Sequence, residues 1–210
     1  LTVIICSLLI TLAAHAQDAS VLLPFVTAES GWNPRNLGTK LACWFDADDA
    51  STLLDAGGDP ADDAEAVQTW QDKSGNGRHA TAPAAAQRPT RQVGVQNGRA
   101  VVRTDGGDYL TNAESGSVFS NKTAGCIFMV CKDPNQAGGL HAAQAMIIFS
   151  TPAASARFAI WGKISGIHAW ACAARRLDSD SVVFASSGVE AANHRLMRAQ
   201  ADWAGGKLYF

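Results

Sequence analysis

The sequence predicts an all-β fold, an antiparallel β-sandwich, and three observations carry that expectation. Apolar residues alternate with polar ones in short runs, the signature of strands with two distinct faces. Those runs, AMIIFS, RFAIWG, GIHAWACA, SVVFAS, HRLMRAQADW and KLYF, recur roughly every ten residues through the second half of the chain, a spacing that suits a sandwich and not alternating helix and strand. The corners between runs are built from Gly, Asn and Asp, which enter tight turns cheaply. At 210 residues with 47% hydrophobic and 17% charged residues, the chain is ordinary globular material, long enough to bury one sizeable core. A formal net charge of −2 sets up no field that would favour nucleic acid or an anionic membrane.

Residues 1–16, LTVIICSLLITLAAHA, form an apolar run too short to span a bilayer comfortably, and Ala14-His15-Ala16 before Gln17 is an A-x-A cleavage pattern. The run reads as a secretory signal peptide, which implies an exported, surface or secreted protein whose mature chain has no membrane span. The alternative is a buried N-terminal strand or helix. Residues 17–39 carry Pro24, Gly31, Pro34 and Gly38, punctuation for an irregular lead-in, with Trp32 as an anchor for it. A single β domain is expected over residues 40–210.

Leu41, Cys43 and Phe45 alternate with Ala42, Trp44 and Asp46, giving a first strand. DAGGDPADDAE, residues 55–65, holds too much Gly, Pro and acid for a strand interior, and it lacks the ligand order of an EF-hand, so it reads as a solvated acidic loop. A second strand is expected over residues 68–72. SGNGR then makes a tight turn: glycines on both sides of an asparagine let the chain visit positive φ, and Asp72 and Ser74 can close an Asx-type turn. Pro83 and Pro89 reduce the next stretch to an extended edge passage. Gln96-Asn97-Gly98 supplies a hairpin turn before a strand with Ala100, Val102 and Thr104 on one face. CIFMVC, apolar at every position, predicts a central strand covered on both faces. Residues 115–121 allow one short helical turn. Ala204-Gly205-Gly206 reads as a hairpin loop whose second strand has barely begun at Phe210, so the fold is expected to be truncated at its C-terminus.

The stretches LACWFDADDASTL, WQDKSGNGRHAT, RPT and QNGRAVVRTDGGDYL together resemble the laminin-G-like branch of the concanavalin A-like lectin/glucanase superfamily, as found in bacterial secreted proteins and in phage tail or adhesion proteins. The resemblance covers residues 41–210, with its specificity concentrated in residues 41–110. It implies a jelly-roll sandwich, and one Ca²⁺ held at the rim by loop oxygens. Asp72, Asn76, Asp105 and Asp108 are the oxygen donors within the matching motifs. The alternative is that Asp72 and Asp105 simply tie their own turns. The family usually carries an aromatic at the place of Thr104, so looser packing is implied there.

Catalysis is not expected. Glycosidic hydrolysis needs two flanking carboxylates, and Glu29, Glu65, Glu114 and Glu190 all fall in loop or leader segments. The E-x-D-x-x-E strand of the glucanase relatives is absent. His168 and Cys172 lie four apart on one strand face, about 13 Å by strand rise, too far for a nucleophile and its base. Cys43, Cys126, Cys131 and Cys172 sit in apolar runs and read as buried free thiols, although a bridge from Cys43 to Cys126 or Cys172 stays open; no spacing suits zinc. Binding remains. Trp44, Trp70, Trp161 and Trp170 lie in strands, where an indole can stack on a sugar ring or, more commonly, fill the core. Trp44, Trp70 and Trp170, with His168, are the candidate ligand platform. The expected role is a non-catalytic module binding carbohydrate or another surface ligand. A structural or adhesion component of a phage tail (hence a virion) or cell envelope is the alternative, and a glycosidase or lyase fragment the third.

Overall fold

The computed structural model describes residues 3–11, 33–119, 122–132, 144–149, 158–163, 170–175, 180–186 and 195–210. Its strands, in chain order, are Val3–Thr11 (β1), Leu41–Asp46 (β2), Leu53–Leu54 (β3), Thr69–Trp70 (β4), Ala80–Thr81 (β5), Thr90–Gln96 (β6), Arg99–Thr104 (β7), Ala124–Lys132 (β8), Gln144–Phe149 (β9), Phe158–Lys163 (β10), Ala171–Ala174 (β11), Val183–Ser186 (β12), Arg195–Asp202 (β13) and Lys207–Tyr209 (β14). One helical turn, Ser115–Val118 (α1), and three 3₁₀ segments complete the described elements. The fold is all-β, and every described ladder is antiparallel.

A seven-stranded sheet runs β14-β13-β8-β1-β7-β6, with β2 also laddered to β1. A four-stranded sheet runs β12-β11-β10-β9, and a small one runs β3-β4-β5. One hydrophobic cluster draws on all three. It contains Cys43 and Phe45 of β2, Ile127, Met129 and Cys131 of β8, Met197 and Ala199 of β13, Phe149, Phe158, Ile160 and Cys172 of the four-stranded sheet, and Leu53 and Trp70 of the small one. Period-two alternation is what lets one face of each strand join it: Met197 lies opposite Met129 and Ala199 opposite Ile127, and all four are buried. Phe119, just after α1, sets its ring edge-on to Phe149 at 4.8 Å and to Phe158 at 5.0 Å, with Trp203 at 5.7 Å. Such tilted arrangements match the ring quadrupoles.

Several sequence expectations change in detail. The second strand, expected over residues 68–72, is laddered only at Thr69–Trp70, because Gln71 and Asp72 already turn into the SGNGR corner. CIFMVC lies inside β8, which is central in its sheet; Ile127, Met129 and Cys131 are buried on one face, while the other passes from buried Cys126 to half-buried Phe128 and Val130. The edge passage around Pro83 and Pro89 contains a 3₁₀ turn at Ala85–Gln87, and β6 starts just after Pro89. The Asn97-Gly98 hairpin takes φ of 51° and 78° between Gln96 and Arg99, the two positive values that a type I′ turn requires. Thr104 is half-buried. Val3–Thr11, within the run read as a leader or a buried strand, is β1.

Candidate functional site

The chain's best-formed corner is the turn after β4, and Asp72 organises it. Although an acid, Asp72 is only 8% exposed. Its Oδ1 accepts from the Trp44 and Ser74 backbone N–H groups, both at 2.9 Å. Its Oδ2 accepts from the Ser74 hydroxyl at 2.7 Å and the Arg78 N–H at 3.1 Å. A buried carboxylate is tolerated when donors surround it in this way. Asn76 reaches back, its Nδ2 donating to the carbonyls of Leu41 at 2.8 Å and Ala42 at 2.9 Å, while Arg78 Nη1 donates to Ala42 at 2.6 Å. Gly75 and Gly77 sit at φ of 93° and 71°, which side-chain-bearing residues rarely adopt. The SGNGR loop is thereby pinned to β2.

His79 extends the corner to the surface. Its Nδ1 accepts from the Asp72 N–H at 3.0 Å, so the neutral ring carries its proton on Nε2 and offers a donor there. The chain at Thr81 bridges to Thr111 in both directions, at 2.8 and 2.9 Å. Asn112 Nδ2 donates to the His79 carbonyl at 2.6 Å, and Asn112 Oδ1 accepts from the Glu114 N–H at 2.8 Å. Between these two tied segments lies a groove of about 400 Å³ lined by Gly77, His79, Thr81, Thr111, Asn112, Ala113 and Glu114. Glu114 is well exposed, its Oε2 3.6 Å from Arg78 Nε. The groove is therefore lined by an imidazole, a carboxylate, an amide and two hydroxyls.

Among the described residues the expected ligand platform does not assemble. Trp70 is 4% and Trp170 1% exposed, so both indoles serve the core; Trp70 packs tilted against Phe45, ring centroids 5.5 Å apart. A buried ring has no face left for a sugar, which corrects the reading of these two as ligand contacts. Trp44 is half-buried, and Lys73 Nζ covers its ring at 4.4 Å. His168 lies outside the described residues, as do Glu29, Glu190 and Trp32.

The four oxygen donors suggested for calcium also fail to converge. Asp72 spends both oxygens on four donors, and Asn76 turns its amide nitrogen to β2. Asp105 Oδ1 accepts from the Gly107 N–H at 2.9 Å and Asp108 Oδ2 from the Asp105 N–H at 3.0 Å, closing a separate turn. Ca²⁺ needs six or more oxygens facing one point, and this set does not fit it. Among the described residues no group of three or more His, Cys, Asp or Glu could hold a metal ion.

Cys43, Cys126, Cys131 and Cys172 are buried thiols. Burial pushes the Cys43 thiol far up, with the Asp72 charge adding to it, and pushes Cys172 up to about 12. Thiols held protonated in this way are inert as nucleophiles. Lys73 bridges Asp46 at 3.0 Å and Asp49 at 2.7 Å. Burial alone would lower the lysine, but bonds to Asp49 and Asp46 outweigh it and leave it raised. The groove at Thr111–Glu114 is what the sequence did not reveal, since its second wall is separated from the first by some thirty residues. The signal available was Asn112, an amide in a polar run facing a glycine-rich turn.

Fold and corner together define an antiparallel all-β protein with a polar groove on a pinned loop. No family model, curated protein or solved structure matches the chain. No described helix is long and apolar enough to cross a membrane.

Proposed function

We propose that this chain is a non-catalytic recognition module of an exported protein, a laminin-G-like jelly roll that takes a carbohydrate in the groove beside the SGNGR loop. The observation that carries the reading is that groove: about 400 Å³, large enough for one or two sugar rings, walled by polar groups tied on one side to Asp72 and on the other through Thr81 and Asn112. Preorganised donors and acceptors cost little ordering on binding. His79 Nε2 donates to a sugar hydroxyl, and Glu114 accepts from another. Arg78, not a second acid, stands beside Glu114, which is why the reading is binding and not hydrolysis.

A glycan array probed with the full chain, with and without calcium, tests this. A preferred glycan should appear in both arms, and Glu114→Ala should weaken it at least tenfold by titration without changing the melting temperature. Silence on every glycan would sink the reading. A structural or adhesive role would then lead, favoured by the edge strand β12, where Val183 and Phe184 are 54% and 51% exposed; exposed apolar edges mark assembly surfaces.

A further inference from the structure

A second cavity lies between β13 and Trp170, the residue that leads into β11. Along β13 the odd-numbered positions form the covered row: Met197, Ala199 and Ala201 are buried while Leu196 and Arg198 are exposed. Period-two alternation puts half-buried Arg195 at the open end of that row, opposite Cys131 of β8. β14 ladders only to Gln200–Asp202, so among the described residues the first half of β13 has β8 as its one ladder neighbour. The space left there measures about 150 Å³ and is lined by Trp170, Arg195, Leu196, Met197, Arg198 and Phe210. It shares no residue with the groove beside the SGNGR loop.

Two donors at this cavity are left over. The Trp170 indole is 1% exposed, and its Nε1–H is shielded from solvent without an acceptor among the described residues. The Arg195 Nε–H is shielded and unpaired in the same way. Buried N–H groups nearly always find an acceptor, and a shielded guanidinium calls for a counter-charge as well. Among the described residues no carboxylate supplies it: neither Arg195 nor Arg198 forms an ion pair, and no acid lines the cavity. The rest of the wall is apolar, made by Met197, Phe210 and the indole itself.

We propose that this cavity is a binding site for a small organic carboxylate with a compact apolar body. The carboxylate oxygens accept from Arg195 Nε and Trp170 Nε1, the first of these a charge-assisted bond of the stronger kind. Exposed Arg198 at the rim adds attraction for the anion, and the apolar body rests against Met197 and Phe210. At about 30 Å³ of liquid for each water, the cavity holds the volume of about five waters, which sets the ligand at roughly the size of benzoate. Phosphate or sulfate would match the charge but would set polar oxygens against the apolar wall. The site is independent of the glycan groove and of the reading built on it.

Calorimetric titration of benzoate into the full chain, with benzyl alcohol and inorganic phosphate as controls, tests the site. Benzoate should bind one to one. Benzyl alcohol, which has the ring without the charge, and phosphate, which has the charge without the ring, should each bind at least tenfold more weakly. Arg195→Met keeps the apolar stem and should weaken benzoate at least tenfold, while the melting temperature of the free protein holds or rises because an unpaired charge has left the cavity. Trp170→Phe keeps a ring, loses the N–H and should weaken benzoate about fivefold. Absence of saturable benzoate binding at millimolar concentration overturns the site, as does undiminished binding in both variants. Phosphate binding as tightly as benzoate would overturn the assignment to a carboxylate.

Discussion

Two aspartate turns in this molecule share one local chemistry and differ in everything else. Asp72 and Asp105 each open a short Gly-containing corner, and each accepts a hydrogen bond from the N–H two residues on, at Ser74 and at Gly107, both 2.9 Å. Asp72 is buried and also holds the N–H groups of Trp44 and Arg78, so its turn is welded to β2, 28 residues away. Asp105 is exposed, and its partner Asp108 is three residues on. A turn motif specifies its own corner; long-range donors decide whether that corner also holds a fold together.

The sharpest way to break this contrast is Asp72→Ala. It strands three backbone N–H donors and the Ser74 hydroxyl in a low-dielectric corner. At about 1–3 kcal/mol for each group left buried and unpaired, partly relieved by water, the expected loss is about 4 kcal/mol. Asp72→Asn keeps Oδ1 for Trp44 and Ser74 but turns an N–H₂ toward the Arg78 N–H, and should lose about half as much. Urea melts of both variants check this. A loss under about 1 kcal/mol in Asp72→Ala would mean that the pinned loop does not stabilise the fold.

An apolar counterpart sharpens the comparison. Phe119 packs against the rings of Phe149, Phe158 and Trp203, and Gly125 of β8 lies against Phe119 and Trp203. A Cβ at Gly125 would stand 2.5 Å from Phe119 Cε1 and 3.1 Å from Trp203 Cη2. Gly125→Ala should therefore displace Phe119 from Phe149 and Phe158 and cost about 2–3 kcal/mol through overpacking. Near-ultraviolet circular dichroism should change along with the melt.

What was legible in the sequence divides along the same line. Period-two alternation in LACWFD and the Asn97-Gly98 corner are local signals, and strands and turn appear where those residues call for them. β4 came out shorter than expected because Asp72 is claimed by Trp44, a partner no local window contains. Trp70 falls in β4 as expected and Trp170 just before β11, but neither could be placed on a face from sequence, since whether an indole meets core or solvent depends on which sheet covers it. The groove eluded sequence reading for a similar reason: its walls, His79 and Asn112, meet only after β6, β7 and their hairpin have been folded between them.

Acid should separate the charged partners of the two corners with a smaller effect. The Lys73 ammonium, with the Ser51 hydroxyl, holds Asp49 below its ordinary value of 3.8. The folded state thus binds that proton less readily than the unfolded chain, so the stabilisation is present above pH 3.8 and is lost as pH falls through the lower folded value. Burial, with the nearby Asp105 charge adding to it, raises Asp108 above 3.8; its contribution has the opposite sign, present below 3.8 and lost as pH rises through the folded value. Lys73→Met, which keeps an apolar stem over Trp44, should flatten the acid limb of a melting-temperature profile by less than about 1 kcal/mol, because Asp49 is one-third exposed. An unchanged limb would show that the Asp49 pair is silent.

The smallest expected effect falls on the second turn itself. Asp105→Ala removes an acceptor from the Gly107 N–H, but that N–H is at the surface, where water replaces the carboxylate. The cost should be about 0.5 kcal/mol. Removing Asp105 also withdraws the charge that helps raise Asp108, so the Asp108 contribution to the acid profile should shrink in the same variant. If Asp105→Ala instead cost as much as Asp72→Ala, the turn after β7 would be holding distant structure as well, and burial would no longer distinguish the two corners.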